Sequence, residues 1–222
     1  MHLTTDALTK RYDDFALSIP DLEIESGTAL GLVGNNGAGK TTFLRLVLDL
    51  IRADAGHVAL EGESVADHFD WKERTGSYLG PSFLIDFLTP DEYWHFVGQT
   101  YGLAEATVNE RLAAFDDFYA DEPIGETSTY IRDLSTGNKN KAGLIAALLP
   151  EPDLLVFDEP FASLDPRSQI QLKEILQARQ GEATMLISSH DLGHVTDVSD
   201  RIAILEDGEI VRDEPTDPDT LE

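Results

Sequence analysis

The sequence predicts an α/β fold with a mostly parallel core sheet, a small antiparallel β part and a helical insert. Three observations carry this. Apolar runs bounded by turn residues recur at Thr28–Val33, Asp153–Phe157, Thr184–Ser188 and Ile202–Leu205, and they read as buried strands. Helical patterns lie between them at Lys40–Ile51, Asn138–Leu149, Pro166–Gln180 and Asp191–Val198, the alternation that a parallel sheet covered by helices requires. No strand-like run interrupts about 83–133, which reads as a helical insert.

The remaining elements follow in order. Leu3–Glu25 and the tail Glu206–Arg212 supply short antiparallel strands, with Glu206-Asp207-Gly208-Glu209 as a turn. Thr89-Pro90-Asp91-Glu92 has the form of a capping box, opening a helix that carries Tyr93, Trp94, Phe96 and Val97. A second helical pattern covers Ala104–Tyr119, and the aromatics of both read as core. Asp165-Pro166 gives a cap followed by proline at the first helical position. The expectation is one domain over residues 1–222, with 1–82 and 134–222 as the core and about 83–133 as a helical subdomain.

Composition narrows the function. Of 222 residues 41% are hydrophobic, enough for a sizeable core, and the absence of cysteine excludes disulfides and thiolate metal sites. The longest apolar candidate, Ala142–Leu149, is far short of the roughly 18–20 residues that span a bilayer. Met1-His2-Leu3-Thr4-Thr5-Asp6 lacks the basic and apolar regions of a signal peptide, so a cytoplasmic protein is expected. The net charge is −26, which opposes direct binding to nucleic acid phosphates. A solvated acidic surface is one reading of that charge; adaptation to high salt is the other, because at about 1 M salt the Debye length is only about 3 Å.

The most informative segment is Gly34-Asn35-Asn36-Gly37-Ala38-Gly39-Lys40-Thr41, which fits G-x-x-x-x-G-K-[ST] between an apolar strand and a helix. Its glycines let the backbone curl so that successive amides point inward, and the helix N-terminus adds a positive dipole end. Lys40 is expected to reach the β- and γ-phosphates of a nucleotide, and the Thr41 hydroxyl to ligate Mg²⁺. By itself this P-loop predicts an NTPase or a nucleotide kinase. Further along, Leu154-Leu155-Val156-Phe157 ends in Asp158-Glu159. Such a pair arises where any strand leaves the core. Beside a phosphate loop, it suggests Asp158 as a metal partner and Glu159 as the group that accepts a proton from the attacking water.

Three more segments separate the NTPase classes: Leu134-Ser135-Thr136-Gly137-Asn138, Ser163-Leu164-Asp165 and Ser188-Ser189-His190-Asp191. In this order the chain resembles, over essentially its whole length, the nucleotide-binding subunits of ATP-binding cassette (ABC) transporters. Gly34–Thr42 looks like their Walker A and Leu154–Asp158 like their Walker B. Leu134–Asn138 is similar to the signature LSGGQ, with Thr136 and Asn138 as departures. Ser163–Asp165 resembles the D-loop and His190 the switch histidine. Tyr12 sits where the family stacks an aromatic on adenine.

The resemblance implies ATP and Mg²⁺ as ligands. It assigns catalysis to Glu159, His190 and Lys40, and metal binding to Thr41 and Asp158. Nucleotide contacts would come from Tyr12, Gly34, Asn35, Asn36, Gly37, Ala38, Gly39, Lys40, Thr41 and Thr42, and from Ser135 and Gly137 of a second cassette. The bland readings are a core aromatic for Tyr12, an ordinary helix cap for Ser135–Gly137 and a polar strand end for His190. A further departure is that the family's glutamine, at the end of the strand entering the helical insert, is matched by Gly80 in Gly76-Ser77-Tyr78-Leu79-Gly80-Pro81-Ser82, leaving water or Ser82 as substitutes, or a coupling that works differently, and no metal ligand is assigned there.

The implied function is ATP hydrolysis that drives transport through separate integral membrane permease subunits. The second cassette would be an identical chain or a close paralogue, and the location the inner face of the cell membrane. About 83–133 would dock the permease, and the single cassette resembles exporter-type subunits. A soluble cassette that dimerises with ATP without transport is the alternative; a small-molecule phosphotransferase leaves the signature and His190 unexplained.

Overall fold

The computed structural model describes residues 1–120 and 123–216. Residues 121 and 122 of the expected insert, and 217–222 of the expected core, lie outside the described residues. The strands are β1 (Leu3–Tyr12), β2 (Phe15–Ile19), β3 (Glu23–Ile24), β4 (Ala29–Val33), β5 (Ala55–Leu60), β6 (Glu63–Ser64), β7 (Thr75–Tyr78), β8 (Leu154–Asp158), β9 (Thr184–Ser189), β10 (Arg201–Glu206) and β11 (Glu209–Pro215). The helices are α1 (Lys40–Val47), α2 (Pro90–Thr100), α3 (Glu105–Ala113), α4 (Asp116–Tyr119), α5 (Thr136–Leu148), α6 (Pro166–Gln177) and α7 (Leu192–Val195).

One sheet runs in the order β6-β5-β1-β2-β11-β10-β4-β9-β8-β7, with β3 paired to β1. From β10 to β7 every neighbouring pair is parallel, whereas β1 pairs antiparallel with β2, β3 and β5. Alternation explains why the central strands read as unbroken apolar runs. Leu154 and Val156 of β8 point to one core with α1 residues Phe43 and Leu44, while Leu155 and Phe157 point to the other with Leu144, Ile145 and Leu148 of α5. Both faces of the strand are buried, so both sets of residues are apolar.

Several boundaries differ from the expected ones. The helix expected over Lys40–Ile51 stops at Val47, because Asp49 takes a left-handed φ of 52°. The single helix expected over Ala104–Tyr119 is two, α3 and α4. The amides of Ala114 and Phe115 bond three residues back, to Arg111 and Leu112, which tightens and turns the chain. That turn brings the consecutive residues Phe118 and Tyr119 both inward, and Tyr119 meets Trp94 edge to face at 5.1 Å. α6 ends at Gln177 rather than Gln180, and the helix expected over Asp191–Val198 becomes α7 followed by a 3-10 turn, Thr196–Val198. The capping box is present: Thr89 Oγ1 accepts from Glu92 N–H at 3.3 Å and Glu92 returns the bond to Thr89 N–H at 2.9 Å.

Candidate functional site

The register of the parallel strands places the site. Val33 is level with Ser189, and Ser188 with Asp158, so β4, β9 and β8 end together and their loops project from one edge of the sheet. The glycine loop leaves β4 there. Gly34 N–H donates to Ser189 O at 3.2 Å and Ala38 N–H to Asn35 O at 3.1 Å, closing the curl. Gly39 caps α1 with φ +110°, and a Cβ there would meet Phe15 Cζ at 2.8 Å, so any other residue at 39 is strained and must push the Phe15 ring aside. Phe43 N–H donates to Gly39 O at 2.9 Å as α1 begins, and the amides before it are the helix's orphan donors.

Lys40 turns back into this curl and is buried. Its Nζ donates to Gly34 O at 2.6 Å and Asn35 O at 3.4 Å, and lies 3.2 Å from Glu159 Oε1. The contact with Glu159 is an ion pair without an aligned hydrogen bond, since Oε1 is buried with no bonding partner among the described residues. Glu159 Oε2 lies 2.8 Å from His190 Nδ1. Next to it, the Thr41 hydroxyl donates to Asp158 Oδ2 at 2.5 Å and the Ser188 hydroxyl to Asp158 Oδ1 at 2.5 Å. Ser188 Oγ also accepts the Glu159 N–H at 3.0 Å, so one hydroxyl fixes both carboxylate residues. Ser188 was not among the residues expected at the site. In the sequence it stands beside a second serine in Ser188-Ser189-His190-Asp191, a segment singled out for its histidine.

A cleft of about 270 Å³ opens over these groups, lined by Tyr12, Phe15, Asn35, Asn36, Gly37, Gly39, Lys40, Thr41, Thr42, Asp158 and Glu159. Tyr12 is 49% exposed at its rim and stacks on Phe15 with centroids 6.3 Å apart, which removes the core-aromatic reading. Gly34, Ala38 and His190 do not line the cleft; His190 is tied to it through Glu159. A larger hollow, about 520 Å³, lies beyond the far end of α1 beside Leu50, Arg52 and His57, and none of these groups lines it.

Ser135 and Gly137 do not line the cleft of their own chain. Ser135 caps α5 by accepting Asn138 N–H at 3.2 Å, and a Cβ on Gly137 would sit 2.9 Å from Ser163 O. The segment Leu134–Asn138 therefore packs on the loop that follows Glu159. Asp165 caps α6; the Ser168 hydroxyl and amide bonded to its carboxylate hold it below the usual carboxylate range. Gly80 has φ +110°, where an L side chain is strained, which is a backbone reason for glycine at this position. Ser82 lies in the 3-10 turn Pro81–Phe83, outside the cleft.

The sequence model described as ABC transporter matches residues 17–162. This chain belongs to the ABC transporter family. Within the family it is 32% identical over 191 residues to an uncharacterised ABC transporter ATP-binding protein of Synechocystis sp., covering 86% of this chain and 54% of that protein. It is 30% identical over 218 residues to the daunorubicin/doxorubicin resistance ATP-binding protein DrrA of Streptomyces peucetius, covering 96% of this chain and 65% of DrrA. The chain thus spans little more than half the length of the first relative and just under two thirds of the second. Among solved structures, the ATP binding subunit of an ABC transporter superposes with a TM-score of 0.85 at 27% identity, covering 97% of this chain and 90% of that one. A dimeric ATP-binding cassette bound to ADP and Pi shares the fold at a TM-score of 0.82 and 20% identity, covering 97% and 99%. Among the described residues of this ABC chain, no helix is long and apolar enough to cross a membrane.

Proposed function

We propose that this chain is the ATP-hydrolysing subunit of an ABC transporter, driving transport through separate integral membrane subunits. The observation that carries the reading is the meeting of Lys40, Glu159 and His190 at the mouth of the glycine loop, with distances of 3.2 and 2.8 Å. The orphan amides of α1 and the Lys40 ammonium suit the phosphates of ATP, and the half-exposed Tyr12 suits the adenine face. These local donors matter in a chain of net charge −26, which repels a polyanion at long range.

Mg²⁺ fits the donor set at the loop. The Thr41 hydroxyl and Asp158 carboxylate are hard oxygen donors on adjoining elements, hydrogen-bonded to each other at 2.5 Å, and oxygen donors are what a small hard cation takes. When bound there it would neutralise charge on the phosphates. Lys40 exchanges its carbonyl and carboxylate partners for phosphate oxygens. Glu159 then accepts the proton of the attacking water, and His190 holds the second carboxylate oxygen and senses the γ-phosphate. Ser135 and Gly137, which do not line their own cleft, would close over the phosphates held by a second cassette, identical or a close paralogue.

The proposed location is the cytoplasmic face of the membrane, without nucleic acid as a partner. Export as the direction is supported by the relatives named for daunorubicin/doxorubicin resistance and for Nod factor export. The acidic surface is proposed as an adaptation to high salt; equal unfolding temperatures in dilute and in molar KCl would count against it. For the function itself, Glu159→Gln is expected to keep ATP binding, slow hydrolysis at least 100-fold and trap an ATP-bound dimer. Unchanged turnover in that variant removes Glu159 from its role, and a chain that never accompanies an integral membrane protein on purification favours the soluble reading.

A further inference from the structure

Asn140 lies buried on the second turn of α5, with both ends of its amide engaged. The Tyr78 hydroxyl donates to Asn140 Oδ1 at 2.6 Å, and Asn140 Nδ2 donates to Ala162 O at 2.6 Å. Only one orientation of the amide satisfies this bridge. A backbone carbonyl can only accept, so the NH₂ group faces Ala162 and the oxygen faces Tyr78. Burial, with a smaller contribution from Tyr93, pushes the Tyr78 phenol up, so its hydroxyl keeps the proton it donates.

Each end of the bridge reaches a functional segment. Ala162 N–H closes on Glu159 O at 3.1 Å, forming a turn over Glu159–Ala162. Glu159 and Ser163, which bracket that turn, have left-handed φ values of 50° and 61°. Non-glycine residues hold such values only where their surroundings impose them. Gln169 contributes on the far side, donating to Phe161 O and Leu164 O at 3.3 Å each. At the other end, Tyr78 closes β7, two residues before Gly80 and the entry to the helical insert. Its ring lies flush on α5, where a Cβ on Gly143 would come within 2.4 Å of Tyr78 Cε2.

We infer that Asn140 is a positioning residue for hydrolysis, fastening the turn that carries Glu159 to the strand that enters the helical insert. A displacement of the insert entry then moves Tyr78, and one buried amide transmits it to the Glu159 carboxylate. This rests on the reading of Glu159 as proton acceptor.

The test compares Asn140→Asp, Tyr78→Phe, their double variant and Glu159→Gln on the full chain. MgATP turnover, MgATP binding and thermal melting are measured for each. In Asn140→Asp an ionised carboxylate would set an acceptor against Ala162 O, whereas Tyr78→Phe keeps the ring and removes only the donor. Expected is a fall in kcat of about tenfold for Asn140→Asp and about threefold for Tyr78→Phe, with KM and ATP affinity within about twofold of wild type. The double variant should be no slower than Asn140→Asp, because both changes break one bridge. Turnover per folded molecule at the wild-type rate in both single variants, beside an inactive Glu159→Gln, overturns the inference alone. Wild-type turnover in Glu159→Gln overturns the Glu159 reading and this inference with it. If Asn140→Asp does not fold, Tyr78→Phe decides by the same kcat-against-KM criterion.

Discussion

Replacing Ser188 by alanine tests the catalytic reading through a residue that touches neither nucleotide nor water in the expected reaction. The hydroxyl makes two bonds, donating to Asp158 Oδ1 at 2.5 Å and accepting from Glu159 N–H at 3.0 Å. A hydrogen bond to a charged group contributes about 1.5–3 kcal/mol and a neutral one about 0.5–1.5 kcal/mol. Asp158 is only partly buried and keeps its bond from Thr41, so water can replace part of the loss, and a net cost of about 2 kcal/mol is expected. For a chain of this size that lowers Tm by about 4–8 °C. If half or more of the cost falls on the transition state, turnover drops about 5–30-fold, at 1.36 kcal/mol per tenfold. The assay is phosphate release at saturating MgATP, with melting followed on the same preparation. Turnover within twofold of wild type together with an unchanged Tm would refute the claim that Ser188 holds the carboxylate pair in place.

Lys40→Ala should weaken MgATP binding by about tenfold or more in equilibrium titration, since it removes the side-chain cation that sits on the loop carbonyls; wild-type affinity would break the phosphate-site assignment. Gly80→Ala should destabilise the fold by about 1–3 kcal/mol, because φ +110° admits alanine only with strain, and an unchanged denaturation midpoint would show that the loop relaxes freely. The Asp165 carboxyl should titrate below the ordinary carboxylate range by NMR, and Ser168→Ala should move it upward. A carboxyl depressed in the folded state stabilises fully above its unfolded value and loses that contribution as pH falls through the folded one. The cap of α6 therefore weakens only at the acid end, and an Asp165 titration unaffected by Ser168→Ala would deny the cause.

Most of the central sheet was legible because its strands are buried on both faces and flanked by turn residues, as in Leu154–Asp158 and Thr184–Ser189. The glycine loop was legible for a different reason: curling a backbone around phosphates demands glycine at fixed spacing. β5 was not. It opens with Ala55-Gly56-His57, exposed and without a β-branched residue, and it is held as a strand by pairing with β1 on one side and β6 on the other. The break between α3 and α4 was also hidden, since helical periodicity runs on through Ala114 and Phe115 and tertiary packing of Phe118 and Tyr119 overrides it. Within the site, Lys40 and Thr41 could be named from spacing, Asp158 and Glu159 from an acidic pair at a strand end beside that loop, and His190 only from the family resemblance. Ser188 could not, because two adjacent serines at a strand end do not show which one meets the carboxylates, and neither could the Tyr78–Asn140–Ala162 bridge, whose partners are 62 and 22 residues apart.

On the proposed reading, the ion pair between Lys40 and Glu159 gives the cleft the character of a small anion-exchange site. Its resident anion is the chain's own carboxylate, 3.2 Å from the ammonium, and an incoming phosphate would compete for the same charge. On the same reading, arrival of the phosphate is the event that frees the Glu159 carboxylate for its part as proton acceptor. Neutralising the resident anion removes the competitor, so Glu159→Gln should hold MgATP more tightly than the native chain even as it hydrolyses it more slowly.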